Sequence, residues 1–260
     1  MEPEEYQRNY DLEDWHWWFV GRQCTVKNLL QKFVRPSGSQ RILDVGCGTG
    51  AMTKFLGGYG GVAGVDISEI ALAFCRKRDL DSLFRASALE LPFADNSFEL
   101  VSAFDVVYHK WVEDDLEALK EFHRVCKNDG LLLITACAFD FLRGEHDVAV
   151  HGARRYTRGE LTEKLKRAGF EVEKATYTNA LLFPLVLTNR LWQRVRRSEG
   201  RAKSDLVPVN RYLNTVLAWI SKLEAFSLKR IDFPFGSSVV CVARKRGAGT
   251  LVDAKQMAVA

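Results

Sequence analysis

The sequence predicts an α/β fold, doubly wound around a mostly parallel sheet, and three observations predict it. Short apolar runs alternate with helical stretches over residues 40–178, the arrangement of strands buried between helices. Two of these runs carry an acid at their ends, Asp44 in Ile42-Leu-Asp-Val45 and Asp66 in Val62-Ala-Gly-Val-Asp66. Between them lies a glycine loop, Gly46-Cys-Gly-Thr-Gly50, which allows a tight turn and a close backbone approach to a ligand.

Taken in order, residues 14–34 read as an amphipathic helix. Trp15, Trp18, Phe19, Arg22, Val26, Leu29, Leu30 and Phe33 recur at three-four spacing, and Pro36-Ser-Gly38 ends the run. Residues 1–38 are thus expected to form a helical lid. Ile42, Leu43 and Val45 suit a buried strand. The helix over 51–56 turns its free N–H groups toward whatever sits on the loop. A strand over 61–66 and a helix over 69–78 follow, leading to a third strand and then a fourth over 99–104. Residues 112–126 form a helix with acids (Glu113, Asp114, Asp115) in its first turn and bases (Arg124, Lys127) at its end, matching the helix dipole. A fifth strand runs over 131–135. Thr157-Arg-Gly-Glu160 is a capping box that opens a helix ending at Gly169, and 170–178 is a sixth strand.

The core therefore spans 39–178. Residues 179–235 interrupt it as a helical insert before the last strand, expected within 236–246. The insert opens on an apolar run, 180–187. A basic run follows (Arg190, Arg194, Arg196, Arg197, Arg201 and Lys203), then a stripe of Tyr212, Val216, Trp219, Ile220 and Leu223. An apolar run beside basic residues is the pattern of a substrate cap, a partner helix or a membrane-surface element, and a basic run is also commonly a solvated helix face, so peripheral membrane contact through 180–203 is one of the expectations for this segment. Residues 247–260 read as a loose tail.

Composition narrows the class. Hydrophobic residues at 47% and charged ones at 27% are ordinary for a globular chain, and a net charge of +4 is too small to point to nucleic acid. Six cysteines without a C-x-x-C pair imply reduced thiols, a cytoplasmic setting and no structural zinc. No signal-peptide core and no run long enough to span a membrane is found. The oligomeric state is not legible.

The loop's ligand follows from its surroundings. Asp44 lies just before the first glycine, where it repels a pyrophosphate and welcomes a positive or zwitterionic group. Asp66 follows Gly46 by 20 residues, the interval of a carboxylate that binds ribose hydroxyls. The glycines run G-x-G-x-G with no Lys-Ser/Thr after them, so a P-loop is excluded and a dinucleotide site is disfavoured.

At these residues the chain resembles the class I S-adenosylmethionine-dependent methyltransferases. Ile42-Leu-Asp-Val-Gly-Cys-Gly-Thr-Gly50 matches their first motif, residues 62–68 their second, 89–98 the approach to the fourth strand, and Arg124-Val-Cys-Lys-Asn-Asp-Gly130 the turn before the fifth. The resemblance implies a seven-stranded Rossmann-like sheet of order 3-2-1-4-5-7-6 with the last strand antiparallel. It implies S-adenosyl-L-methionine as cofactor. The residues expected to hold it are Asp44, Gly46, Cys47, Gly48 and Gly50, then Asp66 with Ile67, then Ser87, Ala88 and Leu89 near the adenine, and Phe104 lining the pocket. Ser87 stands where the family often has an acid, a change worth about 1 kcal/mol of cofactor binding. Trp15-His-Trp-Trp-Phe-Val-Gly-Arg22 resembles a segment preceding the core in many such enzymes, and by that resemblance Trp18 and Arg22 reach the site, Arg22 toward the methionyl carboxylate.

His109 and Tyr108, just beyond the fourth strand, are the candidate general bases, since imidazole takes a proton readily near neutrality. His146 and His151, with Asp140, Glu145 and Asp147, match no firm ligand spacing, so no metal is expected. Arg154-Arg-Tyr156 either binds an anionic group or braces its loop. The expected reaction is O-methylation of a small-molecule, glycan or lipid-linked acceptor. The competing readings are an NAD-dependent oxidoreductase and a non-catalytic cofactor-binding module.

Overall fold

The computed structural model describes residues 1–34, 40–195, 206 and 208–247. These form a seven-stranded sheet in the order β3-β2-β1-β4-β5-β7-β6. The strands are β1 (Gln40–Val45), β2 (Gly60–Asp66), β3 (Leu83–Arg85), β4 (Phe98–Phe104), β5 (Cys126–Cys137), β6 (Phe170–Thr178) and β7 (Ser238–Lys245). The first five pair in parallel, and β7 runs antiparallel to both β5 and β6. Order and reversed strand are those the sequence predicts. Ile42, Leu43 and Val45 are buried because helices cover both faces of the sheet. The strand order reverses between β1 and β4, and this opens a crevice at the carboxyl ends of the parallel strands.

The helices between the strands are α3 (Ala51–Leu56), α4 (Glu69–Arg76), α5 (Asp115–Val125), α6 (Glu145–Ala149) and α7 (Arg158–Arg167). Asp114 caps α5 by accepting from the backbone N–H of Leu116 and Glu117, so the helix starts later than its apolar face suggests, and Val112 packs into the core ahead of it. Thr157 and Glu160 form the expected capping box of α7.

Three regions differ from expectation. The N-terminal region holds two helices, α1 (Pro3–Leu12) and α2 (Trp17–Phe33), not one over 14–34. The break falls where His16 caps α2, its Nδ1 accepting from Trp18 N at 3.4 Å. Glu13 and Asp14 are drawn aside to Arg78, at 3.0 and 2.9 Å. Strand β5 starts at Cys126 and is longer than the expected 131–135. The stretch after it, read as a loop, contains a turn of 3₁₀ helix (Asp140–Leu142) and α6. The stop at 36–38, the basic positions 196, 197, 201 and 203, and the tail from 248 lie outside the described residues.

The insert is helical as expected: α8 (Phe183–Val195) and α9 (Arg211–Ser227). Helix α9 lies along α2. The Asn214 side chain accepts from Trp17 N at 2.8 Å and donates to Trp15 O at 2.9 Å. A Cβ on Gly21 would sit 2.7 Å from Ser221 Cβ, so glycine lets the two helices approach closely. Glu224 anchors the start of the insert by accepting from the backbone N–H of Asn179 and Leu181.

Candidate active site

Two adjoining hollows lie at the carboxyl ends of β1, β2 and β4, and Met1, Gly46, Asp105 and His109 line both. The smaller, a cleft of about 100 Å³, is walled by Asp66, Ile67, Ala86, Ser87, Ala88 and Val106, with Tyr6 of α1 across it. Asp66 ends β2. Its carboxylate accepts from Gly48 N at 3.0 Å and Ser68 N at 2.8 Å. Burial raises its pKa, and those two donors oppose the shift. A carboxylate has lone pairs beyond two such bonds. Ser87 turns its Oγ back to accept from Leu89 N at 3.1 Å. Leu89 packs on the core and is not among the cleft's lining residues.

The glycine loop separates cleft from chamber. Gly46 has φ +67°, and a Cβ there would meet Val106 Cγ2 at 2.3 Å. Gly48 has φ +56° with nothing within 4 Å of its would-be Cβ. The first glycine is therefore required by packing. The second leaves open space beside a backbone that side chains rarely adopt. Gly50 turns away against Cys75 and Leu80. Cys47 lines the chamber, its Sγ 3.8 Å from Cys75 Sγ, both as free thiols. Asp44 is buried under the loop, accepting from Thr53 Oγ1 and Ser102 Oγ, each at 2.7 Å. Burial raises its pKa to about 6.

The larger hollow is a chamber of about 500 Å³. Its floor includes Phe104, Asp105, Tyr108 and His109; one wall holds Glu13, Trp17, Trp18 and Arg22; and Leu182, Leu185, Val186, Leu213 and Leu217 of the insert form its roof. Arg22 Nη1 donates to Asp105 Oδ2 at 3.1 Å. Its Nε is buried and has no hydrogen-bond partner, a cost that a ligand acceptor would relieve.

His109 is held at the wall shared by both hollows. Burial lowers its pKa to about 4, helped by the positive α-amino group of Met1 and opposed by Asp105 and the backbone carbonyls of Val150 and His151. The ring is neutral at physiological pH, and Nδ1 is buried without a partner. Tyr108 lies against it, ring centroids 4.6 Å apart and the planes tilted by 32°. Burial drives the Tyr108 pKa well above its ordinary value, so the phenol stays protonated and suits a donor rather than a base.

Arg154-Arg155-Tyr156 braces the floor. Arg154 donates to the carbonyls of Val107, Val112 and Glu113, Arg155 pairs with Asp147 at 2.7 Å, and the Tyr156 hydroxyl donates to Asp115. His151 pairs with Glu2 at 2.8 Å while His146 lines the chamber. Among the described residues no three His, Cys, Asp or Glu side chains converge on one point. Sequence reasoning missed Asp105, Glu13 and Arg78. Arg78 ties the N-terminal helices to the glycine loop, donating to Thr49 O at 2.9 Å as well as to Glu13 and Asp14. Only a strand-end acid at position 105 offered a signal.

Known proteins match this architecture. A family model of the methyltransferase domain matches residues 43–134. That match assigns residues 43–134 to the methyltransferase domain family. Within that family, the demethylmenaquinone methyltransferase of Staphylococcus aureus (strain MRSA252) is 39% identical over 102 residues. That alignment covers 36% of this chain and 41% of the relative, so the chain matches about two fifths of the length of such curated relatives. Among solved structures, the protein bound to the Haloferax volcanii Trm112 methyltransferase activator superposes with TM-score 0.60 at 19% identity, covering 94% of this chain and 95% of that one. Haemonchus contortus phosphoethanolamine N-methyltransferase 2, solved with S-adenosyl-L-methionine, gives 0.56 at 20% identity, covering 85% of this chain and 53% of that one. These structural likenesses establish the class I methyltransferase fold.

Proposed function

We propose that the chain transfers the methyl group of S-adenosylmethionine to an oxygen of a small acceptor held in the chamber under α8 and α9. The observation that carries this reading is the partnerless Nδ1 of a neutral, buried His109 at the wall common to cleft and chamber. The residues present fit the cofactor. Asp66 suits its ribose hydroxyls, Ser87 and Ala88 the base, and the open space at Gly48 its close approach to the loop. The free Arg22 Nε suits its carboxylate, and Trp18 and Phe104 line the same chamber. When bound, the cofactor supplies a methyl carbon already made electrophilic by a positive sulfur.

The chain's own residues then hold the acceptor, exclude water and accept a proton. Holding the acceptor in line contributes most, up to roughly 7–11 kcal/mol of barrier lowering in favourable cases. The helical roof and the N-terminal helices exclude water. His109 takes the acceptor proton at Nδ1. A base this weak suits an acidic hydroxyl, phenolic or enolic, better than an alcohol. The name of the Staphylococcus relative makes reduced demethylmenaquinone one acceptor to try, and the apolar roof supports it. The methyl would then go to a ring carbon made nucleophilic by loss of the neighbouring hydroxyl proton, whereas transfer to oxygen is tested first on phenolic acceptors and then on glycan and lipid-linked hydroxyls.

Calorimetric titration with S-adenosylmethionine, S-adenosylhomocysteine and NAD tests the reading. Micromolar binding of the first two without NAD is expected, followed by label transfer to an acceptor. Binding of NAD alone would overturn it. Cofactor binding with no transfer to any acceptor class would favour a non-catalytic binding module.

A further inference from the structure

Helix α9 presents its apolar stripe to solvent. Tyr212, Val216, Trp219, Leu223 and Phe226 recur at four-three spacing and so share one face. Tyr212 is 85%, Trp219 65% and Phe226 61% exposed. The opposite face of α9, around Leu217, Ala218, Ser221 and Ala225, is buried. A contiguous exposed patch of this kind marks an interaction surface.

Charge says what covers it. Over the described residues 183–231 the single acid is Glu224, which is buried and bonded to backbone. Arg211, Lys222 and Arg230 are exposed, and by helical position Arg211 and Lys222 flank the stripe on one side. Basic residues beside large apolar side chains are the composition of a helix lying in the interface of an anionic bilayer. A second copy packed antiparallel on the stripe would bring the same positive flanks together across a twofold axis. No described helix is long and apolar enough to cross a membrane. The face also runs into the chamber, because Leu185 and Leu213 line it and are themselves exposed.

We infer that α9 docks this chain onto an anionic lipid surface, with the stripe in the interface and the flanking bases on the headgroups. The surface differs from the 180–203 segment that the sequence suggested. Resting on the proposed reaction, an acceptor dissolved in that bilayer would enter the chamber past Leu185 and Leu213 without crossing water.

The test is flotation of the full chain with vesicles of phosphatidylcholine alone or with about one third phosphatidylglycerol. The chain is expected to float with the anionic vesicles at low salt and less at high salt. Charge reversal by Arg211→Glu with Lys222→Glu is expected to lower partitioning by at least ~10-fold. The Trp219→Ser, Phe226→Ser double variant should lose flotation while keeping its circular dichroism and thermal midpoint, since both side chains are exposed and neither lines the chamber. No flotation with either vesicle, or full flotation of the double variant, would overturn the inference. So would a dimer in sedimentation velocity that the double variant dissolves, which would assign the face to a second copy. Vesicle binding needs no cofactor, so its failure is distinguishable from failure of the methyl-transfer reading.

Discussion

The cleft beside Asp66 and the chamber beneath α8 and α9 share a wall but are built differently. The cleft is made from strand ends and the glycine loop, and its polar contacts run between backbone N–H groups and one carboxylate. The chamber's outer half comes from the helices that precede β1 and from the insert between β6 and β7, and its roof is leucine and valine. Backbone positioned by a sheet cannot drift with substitution, so it suits a ligand common to a whole family. Side chains on appended helices can change one at a time, so they suit an acceptor peculiar to one member.

His109 sits where the halves meet, and replacing it should have the largest effect. His109→Gln is expected to lower turnover by about 10²–10⁴-fold, the usual span for losing a general base, with the cofactor dissociation constant unchanged in calorimetry. A matching loss of cofactor affinity would move His109 into the cofactor half. Within the loop, Gly46→Ala should cost at least ~3 kcal/mol of stability in urea titration, combining backbone strain with a clash on Val106. Gly48→Ala, with open space at its Cβ, should cost only about 1–2 kcal/mol.

A pH series sharpens the comparison. Asp44 has a folded pKa of about 6 against an ordinary 3.8. Its contribution therefore favours folding at low pH and is lost as pH rises through that window. His109 has a folded pKa of about 4 against 6.5. Its contribution is present above 6.5 and is lost as pH falls toward its folded value. Each is worth about 3 kcal/mol, with opposite sign. Relative to the parent, Asp44→Asn should gain stability between about pH 4 and pH 7, and His109→Gln should lose it over the same interval. Parallel curves for the two variants would refute the opposed burial of these groups.

These residues also explain what was legible. The sheet could be read because strand, acid and glycine loop are contiguous, and each carries its own constraint on backbone or charge. Helix α1 could not, because its sequence is polar and its order comes from docking Tyr6 and Leu12. Arg78 gave no sign of its role, since Glu13 and Asp14 lie about 64 residues away in the chain. The stripe on α9 is helical by its spacing, but periodicity defines a face without saying what it faces. In the fold, that apolar face looks outward and the small-residue face packs on α2.

The last two predictions test each half on its own terms. Asp66→Ala should weaken S-adenosylmethionine about 10–100-fold, the effect of losing a charged hydrogen-bond partner. Acceptor KM should hold at saturating cofactor. Val186→Ala removes two methyl groups from the roof, where the side chain lines the chamber and no part of the cleft. An enlarged apolar pocket changes discrimination by about 1–3 kcal/mol per methylene-sized difference. The variant should therefore shift the kcat/KM ratio between two acceptors that differ by a methyl group by about tenfold, with the cofactor constant unmoved. If Val186→Ala instead altered cofactor affinity, the roof would be touching the cofactor. The division between a backbone-built cleft and a side-chain-built chamber would then fail at the point where the insert meets the loop.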